Sequence, residues 1–294
     1  MNQPLSRKQI GKLGQELAVR IITPDSGWWP IYETYLNRCE ELREQIQKRV
    51  EECLKDRLVS ISGRTKTRDT LRDKLIKNPT IKLGSIDDVI GIRVVGDFTL
   101  SQQDEISRLL EAEFAPIHKV KDRREVPVKG YRALHVIIKA EEMHAEIQIR
   151  TSLQSQWADL FERTADTWGR QIRYGLPPNF DSEEMRVDRE RTIQKMIDLS
   201  LKFITIVENH SRDREKWDSD SDLAVYRKSV PTKLEVKGMS KKELREAYEA
   251  RQAYERIAKA RAERIRLRAE IVRLVTDIRV SVDAILVDLA DQVD

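Results

Sequence analysis

The chain has 294 residues, 35% of them charged and 39% hydrophobic, with a net charge of +4. That length suits one domain with extensions or two domains, and the balance suits a soluble protein rich in amphipathic helices, which excludes a disordered chain and a membrane-inserted one. No apolar run is long enough to span a bilayer and the N-terminus lacks the features of a secretory signal, so a cytoplasmic location is expected.

Ser6 and Gln9 are spaced as a capping box, and Ile10, Leu13, Leu17 and Ile21 follow at helical intervals, which predicts a helix over 6–22. Pro24, Gly27 and Pro30 end it. A second helix carries Ile31, Tyr35, Leu42, Ile46, Val50, Leu54 and Leu58 on one stripe. Cys39 and Cys53 lie within this pattern without close pairing, so buried thiols are expected rather than a zinc or redox motif.

The next stretch, SISGRTKTRDTLRDKLIKNP, is locally basic. A solvated helix face with i,i+4 pairs accounts for Arg68, Arg72 and Asp69. It accounts less well for Arg64 and Lys66, which are read as preceding the helix on a short turn, where a planar guanidinium and a compact ammonium can clamp a polyphosphate. Residues 85–97 read as a loop entering a buried strand, Val89 to Val95, interrupted by Arg93. Ser101 and Asp104 cap a predicted helix through Phe114, and residues 116–120 start another strand. The following KVKDRREVPVKGYR is basic and poor in apolar residues, which predicts a mobile loop.

Residues 130–151 predict a β-hairpin. Leu134, Val136 and Ile138 share one side of the first arm, while Ala145, Ile147 and Ile149 alternate with Glu146, Gln148 and Arg150 on the second. For an isolated strand that polar side is simply a solvated face. Leu153, Trp157, Leu160, Phe161, Ala165 and Trp168 then define a strong amphipathic helix, and the compact part ends near Pro177 and Pro178. A further helix spans 183–210, the segment DREKWDSDSD breaks the pattern, and from Lys241 a long charged helix ends in a near-heptad stripe, Leu267 to Leu289. That stripe requires a partner, with folding back onto the chain preferred over dimerisation or docking of another protein. The arginines from Arg256 to Arg268 alternate with glutamates, which favours a solvated face over an RNA-binding stripe.

There is no phosphate-loop, dinucleotide-binding, zincin, nucleophile-elbow or kinase signature, and no histidine is followed by aspartate. What remains is Asp88 at the head of a strand, Glu146 on the polar side of the hairpin, and the cations Arg64, Lys66 and Lys74. Two carboxylates about 4 Å apart repel by roughly 4 kcal/mol at an effective dielectric of 20, so such a pair requires a cation beside it. Magnesium on a nucleotide polyphosphate would supply one.

The motifs GRTK, Thr70 with Lys74, DVIGIR, GYRALH and EIQIRT followed by QWADLFE occur in order across residues 60–165. In this they resemble the synthetase domain of the RelA/SpoT homologues, the (p)ppGpp synthetases. The resemblance implies an α+β fold, a mixed β-sheet flanked by helices as in nucleotidyltransferases, with N- and C-terminal helical extensions at 1–58 and 179–294 around a core at 59–178. It implies transfer of the β,γ-pyrophosphate of ATP to a ribose 3′-hydroxyl. Arg64, Lys66 and Lys74 would hold the ATP phosphates. Asp88 and Glu146 would be the catalytic carboxylates and the ligands of Mg2+, Glu146 assisting the metal or deprotonating the hydroxyl. Tyr131, His135 and Gln148 would line the acceptor pocket.

The segment KDRREVPVKGY departs from the KDYI and PK-x-x-GY approach of (p)ppGpp-making relatives, which brings Arg123 and Arg124 to the acceptor side. Together with the short extensions this resembles the toxic small alarmone synthetases, several of which modify the 3′-CCA end of tRNA. A small single-activity form is expected, without a hydrolase domain or regulatory modules. The tRNA acceptor is placed ahead of GDP or GTP, with an inactive nucleotide- or protein-binding regulator as the third reading. An antitoxin docking on the stripe from Leu267 to Leu289, and a homo-oligomer, are the further partners this resemblance raises.

Overall fold

The computed structural model describes residues 5–209 and 239–290. The chain divides into two compact units. The first comprises residues 1–98, 102–128 and 132–155, and the second comprises 99–101, 129–131 and 156–294.

Two helices open the first unit, α1 (Arg7–Val19) and α2 (Trp29–Cys53). The α1 capping box is present, Ser6 and Gln9 each bonding the other's backbone N–H. Strand β1 (Val59–Thr65), helix α3 (Arg68–Lys77), strand β2 (Ile90–Gly96), helix α4 (Leu100–Glu113) and strands β3 (Lys119–Asp122), β4 (Leu134–Ala140) and β5 (Met143–Thr151) follow. The five strands form one mixed sheet in the order β1-β2-β5-β4-β3. Only β2 and β5 run parallel, and they lie at its centre.

Two expectations are corrected here. The turn assigned to Arg64 is the end of strand β1, and the strand expected to start over 116–120 is β3, which takes up the first four residues of the basic segment. Gly63 interrupts the strand signal of β1, and β3 has only four residues with lysines at 119 and 121. Pairing with β2 and β4 supplies what local propensity does not.

Strand pleating sorts the side chains onto two faces. One face is apolar and carries Ile61, Ile92, Val94, Val136, Ile138, Ile147 and Ile149, and it shares a single core with Leu13, Leu17, Tyr35, Leu42 and Ile46 of the N-terminal helices. Helix α2 passes close to β1. A Cβ at Gly63 would meet the Gln47 side chain at 2.7 Å and that of Ile92 at 2.9 Å, so glycine here permits the approach. Cys39 is buried in this core with its Sγ 3.3 Å from the Met143 sulfur, and burial pushes its pKa up to about 12; Cys53 is partly buried. No described helix is long and apolar enough to cross a membrane.

In the second unit, Trp157, Phe161, Ala165 and Trp168 of helix α5 (Ser152–Trp168) are buried, as are Met196 of α6 (Glu183–Asp198) and Leu199 and Ile204 of the π-helical turn that follows. Trp157 donates its indole N–H to the Met196 carbonyl at 2.7 Å and stacks on Phe161. Gly130 has φ +84°, and a Cβ there would stand 2.7 Å from the Trp157 ring, so only glycine fits. Helix α7 (Lys241–Ala290) buries Ile271 and half-buries Leu267 and Leu274, while the side chains of Ile278, Val282, Ile285 and Leu289 lie outside the described ones. Its N-terminal half carries exposed i,i+4 ion pairs such as Arg245–Glu249 and Arg251–Glu255. The segment DREKWDSDSD lies outside the described residues.

Ile147 sits fully buried on the central strand. Ile147→Ala is expected to cost about 2–5 kcal/mol through lost burial and the cavity left behind. In urea unfolding this reads as a lower midpoint at an unchanged slope.

Candidate active site

The second face of the sheet is polar, and strand register fixes its order. Arg64 on β1 lies opposite Gly91 on β2, and Gly91 lies opposite Glu146 on β5. Residues paired in register point to the same face, so Arg64 and Glu146 rise on either side of a position with no side chain. Two strand spacings, roughly 9–10 Å, separate their backbones. The next row reads Ser62, Arg93, Gln148, His135 and Lys121. Gly91 is therefore the floor of a groove walled by a guanidinium and a carboxylate.

Glu146 is held from two sides. His135 Nδ1 lies 2.9 Å from its Oε1, and Gln148 donates to its Oε2 at 2.6 Å. Gln148 in turn accepts from Arg150 at 2.7 Å, so three alternate residues of β5 form one hydrogen-bonded relay along the strand. The carboxylate is only 6% exposed. Burial pushes its pKa up, but the bond and charge of His135 and the Gln148 amide outweigh that and hold it below the ordinary glutamate value. Asp88 acts in the opposite direction, so the two carboxylates lie within electrostatic reach.

Asp88 precedes β2. The Lys66 amide bonds the Val89 carbonyl at 2.8 Å, which carries the β1–β2 ladder one step further and brings Lys66 beside Asp88. Helix α3 then returns Lys74. The two ammonium groups take different oxygens of Asp88, Lys66 at 2.9 Å and Lys74 at 2.7 Å. Burial would raise the Asp88 pKa, and these two cations pull it below the usual value instead. Both carboxylates are thus ionised near neutral pH, Asp88 held by Lys66 and Lys74 and Glu146 by His135 and Gln148.

Among the residues assigned from sequence, Arg64, Lys66, Lys74, Asp88, His135, Glu146 and Gln148 all fall on or beside this one face. His135 and Gln148 bind Glu146 itself. Arg124 has a different environment: its side chain is 9% exposed and pairs with Asp122 and with Asp104 at 2.6 Å. The Arg123 amide bonds the Ala133 carbonyl, continuing the edge of the β3–β4 pair. Tyr131 belongs to the second unit, directly after Lys129 and Gly130, which both have positive φ. The site read from the sequence includes neither Gly91 nor Arg150. Arg150 shares the odd-even parity of Glu146 and Gln148, a signal legible in the sequence, whereas Gly91 required the register.

Residues 63–165 match the model of the region found in RelA/SpoT proteins. The chain is similar to that family over this segment. The stretch holding it also resembles the uncharacterized proteins Rv1366 of Mycobacterium tuberculosis and Mb1401 of Mycobacterium bovis, each 34% identical over 177 residues, which are 60% of this chain. The matched part spans 64% of the length of those relatives. Among solved structures, small alarmone synthetase 1 of Bacillus subtilis is 18% identical, with 64% of this chain and 98% of that chain covered at a TM-score of 0.44. Small alarmone synthetase 2 of the same organism is 22% identical, with 62% and 98% covered and a TM-score of 0.42. All the residues of the polar groove from Arg64 to Arg150 lie inside the matched segment, residues 63–165.

His135→Ala removes the partner that most offsets burial of Glu146. The Glu146 carboxyl is expected to titrate at higher pH in this variant than in the parent protein, as followed by carbon-detected NMR of labelled glutamate. An unchanged titration would show that the His135 contact does not set the charge of Glu146.

Proposed function

We propose that this chain is a pyrophosphokinase that moves the β,γ-pyrophosphate of ATP to the ribose 3′-hydroxyl of a guanine nucleotide, giving a (p)ppGpp-type product. The observation that carries this reading is the groove over Gly91, with Arg64 on one wall and the doubly bonded Glu146 on the other, next to Asp88 with its two lysines. Its position inside the segment that matches the region found in RelA/SpoT proteins supports the same chemistry.

In the proposed reaction the acceptor 3′-oxygen attacks the β-phosphorus of ATP, the bond from that phosphorus to the α,β-bridging oxygen breaks, and AMP leaves. Arg64, Lys66 and Lys74 bind the phosphate oxygens and stabilise the charge that moves through them. Glu146 orients the hydroxyl and accepts its proton. Because its pKa is lowered it is a weak base, so proton transfer comes late, which suits the loose transition state of phosphoryl transfer. Asp88 and Glu146 are ionised oxygen donors and fit a hard divalent ion such as Mg2+, which when bound would neutralise charge on the transferred group. Tyr131 is proposed to stack on the acceptor base.

The expectation of a tRNA acceptor draws on the resemblance to the toxic small alarmone synthetases and on the charge of the loop at Arg123 and Arg124 and of the C-terminal helix. Ion pairing of Arg124 with Asp104 and Asp122 takes one of those cations away from an RNA backbone, which favours the free nucleotide.

Asp88→Asn and Glu146→Gln are each expected to lower transfer by about 10²–10⁴-fold with the thermal midpoint little changed. Gly91→Leu is expected to do the same by filling the groove floor, since a Cβ at Gly91 meets only the Arg64 carbonyl oxygen, at an ordinary 3.6 Å. The deciding experiment supplies γ-labelled ATP with GDP or GTP, and separately with deacylated tRNA. Label is expected in the guanine nucleotide. Label in tRNA alone would reassign the acceptor, and label in neither would leave a nucleotide-binding regulator.

A further inference from the structure

At the N-terminal end of β5, on the same polar face as Glu146, lies a second cluster that the proposed transfer chemistry does not use. His144 Nδ1 stands 3.1 Å from Asp87 Oδ1, and the His118 ring stacks on His144 at 4.4 Å between centroids. One ligand atom from each of Asp87, His118 and His144 can be chosen so that all three lie within 4.8 Å of one another. The three residues come from separate segments: the approach to β2, the residue before β3, and β5 itself.

We propose that Asp87, His118 and His144 form a binding site for a d-block divalent cation, with Zn2+ as the best-fitting ion. Two imidazoles and one carboxylate are a ligand set that selects zinc and its neighbours over Mg2+, which prefers oxygen alone. Zinc–ligand bonds of about 2.1 Å in a tetrahedron place ligand atoms about 3.4 Å apart. The Asp87–His144 edge is already close to that length. His118 is exposed, and a small rotation of its ring closes the third side.

The rest of the cluster determines which oxygen the cation takes. Lys119 and Lys121 both bind Asp87 Oδ2, at 3.0 and 2.8 Å, leaving Oδ1 facing His144. The lysines hold the carboxylate in place as outer partners while their positive charge weakens the site. Removing one of these charges should therefore tighten cation binding without touching a ligand. Because the ligands join three separate segments, a bound ion also ties the entry of β2 to the edge of β3 and stabilises the first unit by linkage.

The test is calorimetric titration of the untagged full chain with Zn2+ in excess Mg2+, so that an oxygen-only site at Asp88 and Glu146 is already saturated. One equivalent of Zn2+ is expected to bind and to raise the thermal midpoint. His118→Ala and His144→Ala should each weaken binding by about tenfold or more. Lys121→Gln, which keeps all three ligands, should strengthen it, and Asp88→Asn should leave it unchanged. Visible d–d absorption on titration with Co2+ should disappear in both histidine variants. The proposal fails if the parent chain does not bind Zn2+ under these conditions, if the histidine variants bind like the parent, or if Asp88→Asn abolishes binding.

Discussion

Parallel pairing of β2 with β5 is the constraint on which the rest of the structure depends. It brings the strand that follows Asp88 alongside the strand that carries Glu146, although more than fifty residues separate them in the chain. The register sets Gly91 opposite Glu146 and Arg93 opposite Gln148. A slip of one residue would turn Glu146, Gln148 and Arg150 into the apolar core and Ile147 and Ile149 outward. The hydrophobic alternation of β5 therefore holds the polar face in place, and packing of the opposite face against α1 and α2 keeps it there.

Glu146 shows how such a face keeps a buried charge. An ionised carboxylate withdrawn from water is costly unless its oxygens are satisfied. Here one oxygen meets His135 across the hairpin and the other takes the Gln148 amide, with Arg150 behind it. Asp88 reaches the same condition by different means, through two lysines, Lys66 just after β1 and Lys74 on α3. Each carboxylate is held by its own elements, and each stays charged.

Asp87 and Asp88 illustrate how a backbone separates functions between neighbours. Consecutive residues leaving the approach to β2 engage different cations, Asp88 those of Lys66 and Lys74, Asp87 those of Lys119 and Lys121. His144, two residues before Glu146 on the same side of β5, joins the Asp87 group rather than the Glu146 group. One sheet face thus supports two adjacent charged clusters of different ligand character, oxygen and ammonium at one, imidazole at the other.

The sequence by itself determined the elements whose signals are local. The period-2 alternation of Ala145, Ile147 and Ile149 marks the hairpin, the Ser6–Gln9 capping box marks α1, and the helical stripes mark α2 and α5. The resemblance carried by the motifs over 60–165 assigned Arg64, His135, Glu146 and Gln148, which share a sheet face, and Lys66, Lys74 and Asp88 beside it. The sequence did not determine β1, whose pairing with β2 takes in Gly63 and Arg64, and it placed only the start of β3, which pairing with β4 extends into the basic segment. Nor did it place Arg124, a loop cation by composition that the fold turns against Asp104 and Asp122. The groove floor at Gly91, the two-sided grip on Glu146 and the meeting of His118, His144 and Asp87 are all contacts between distant segments. Strand register and packing decided these, since no local periodicity encodes which residue of one strand lies opposite which residue of another.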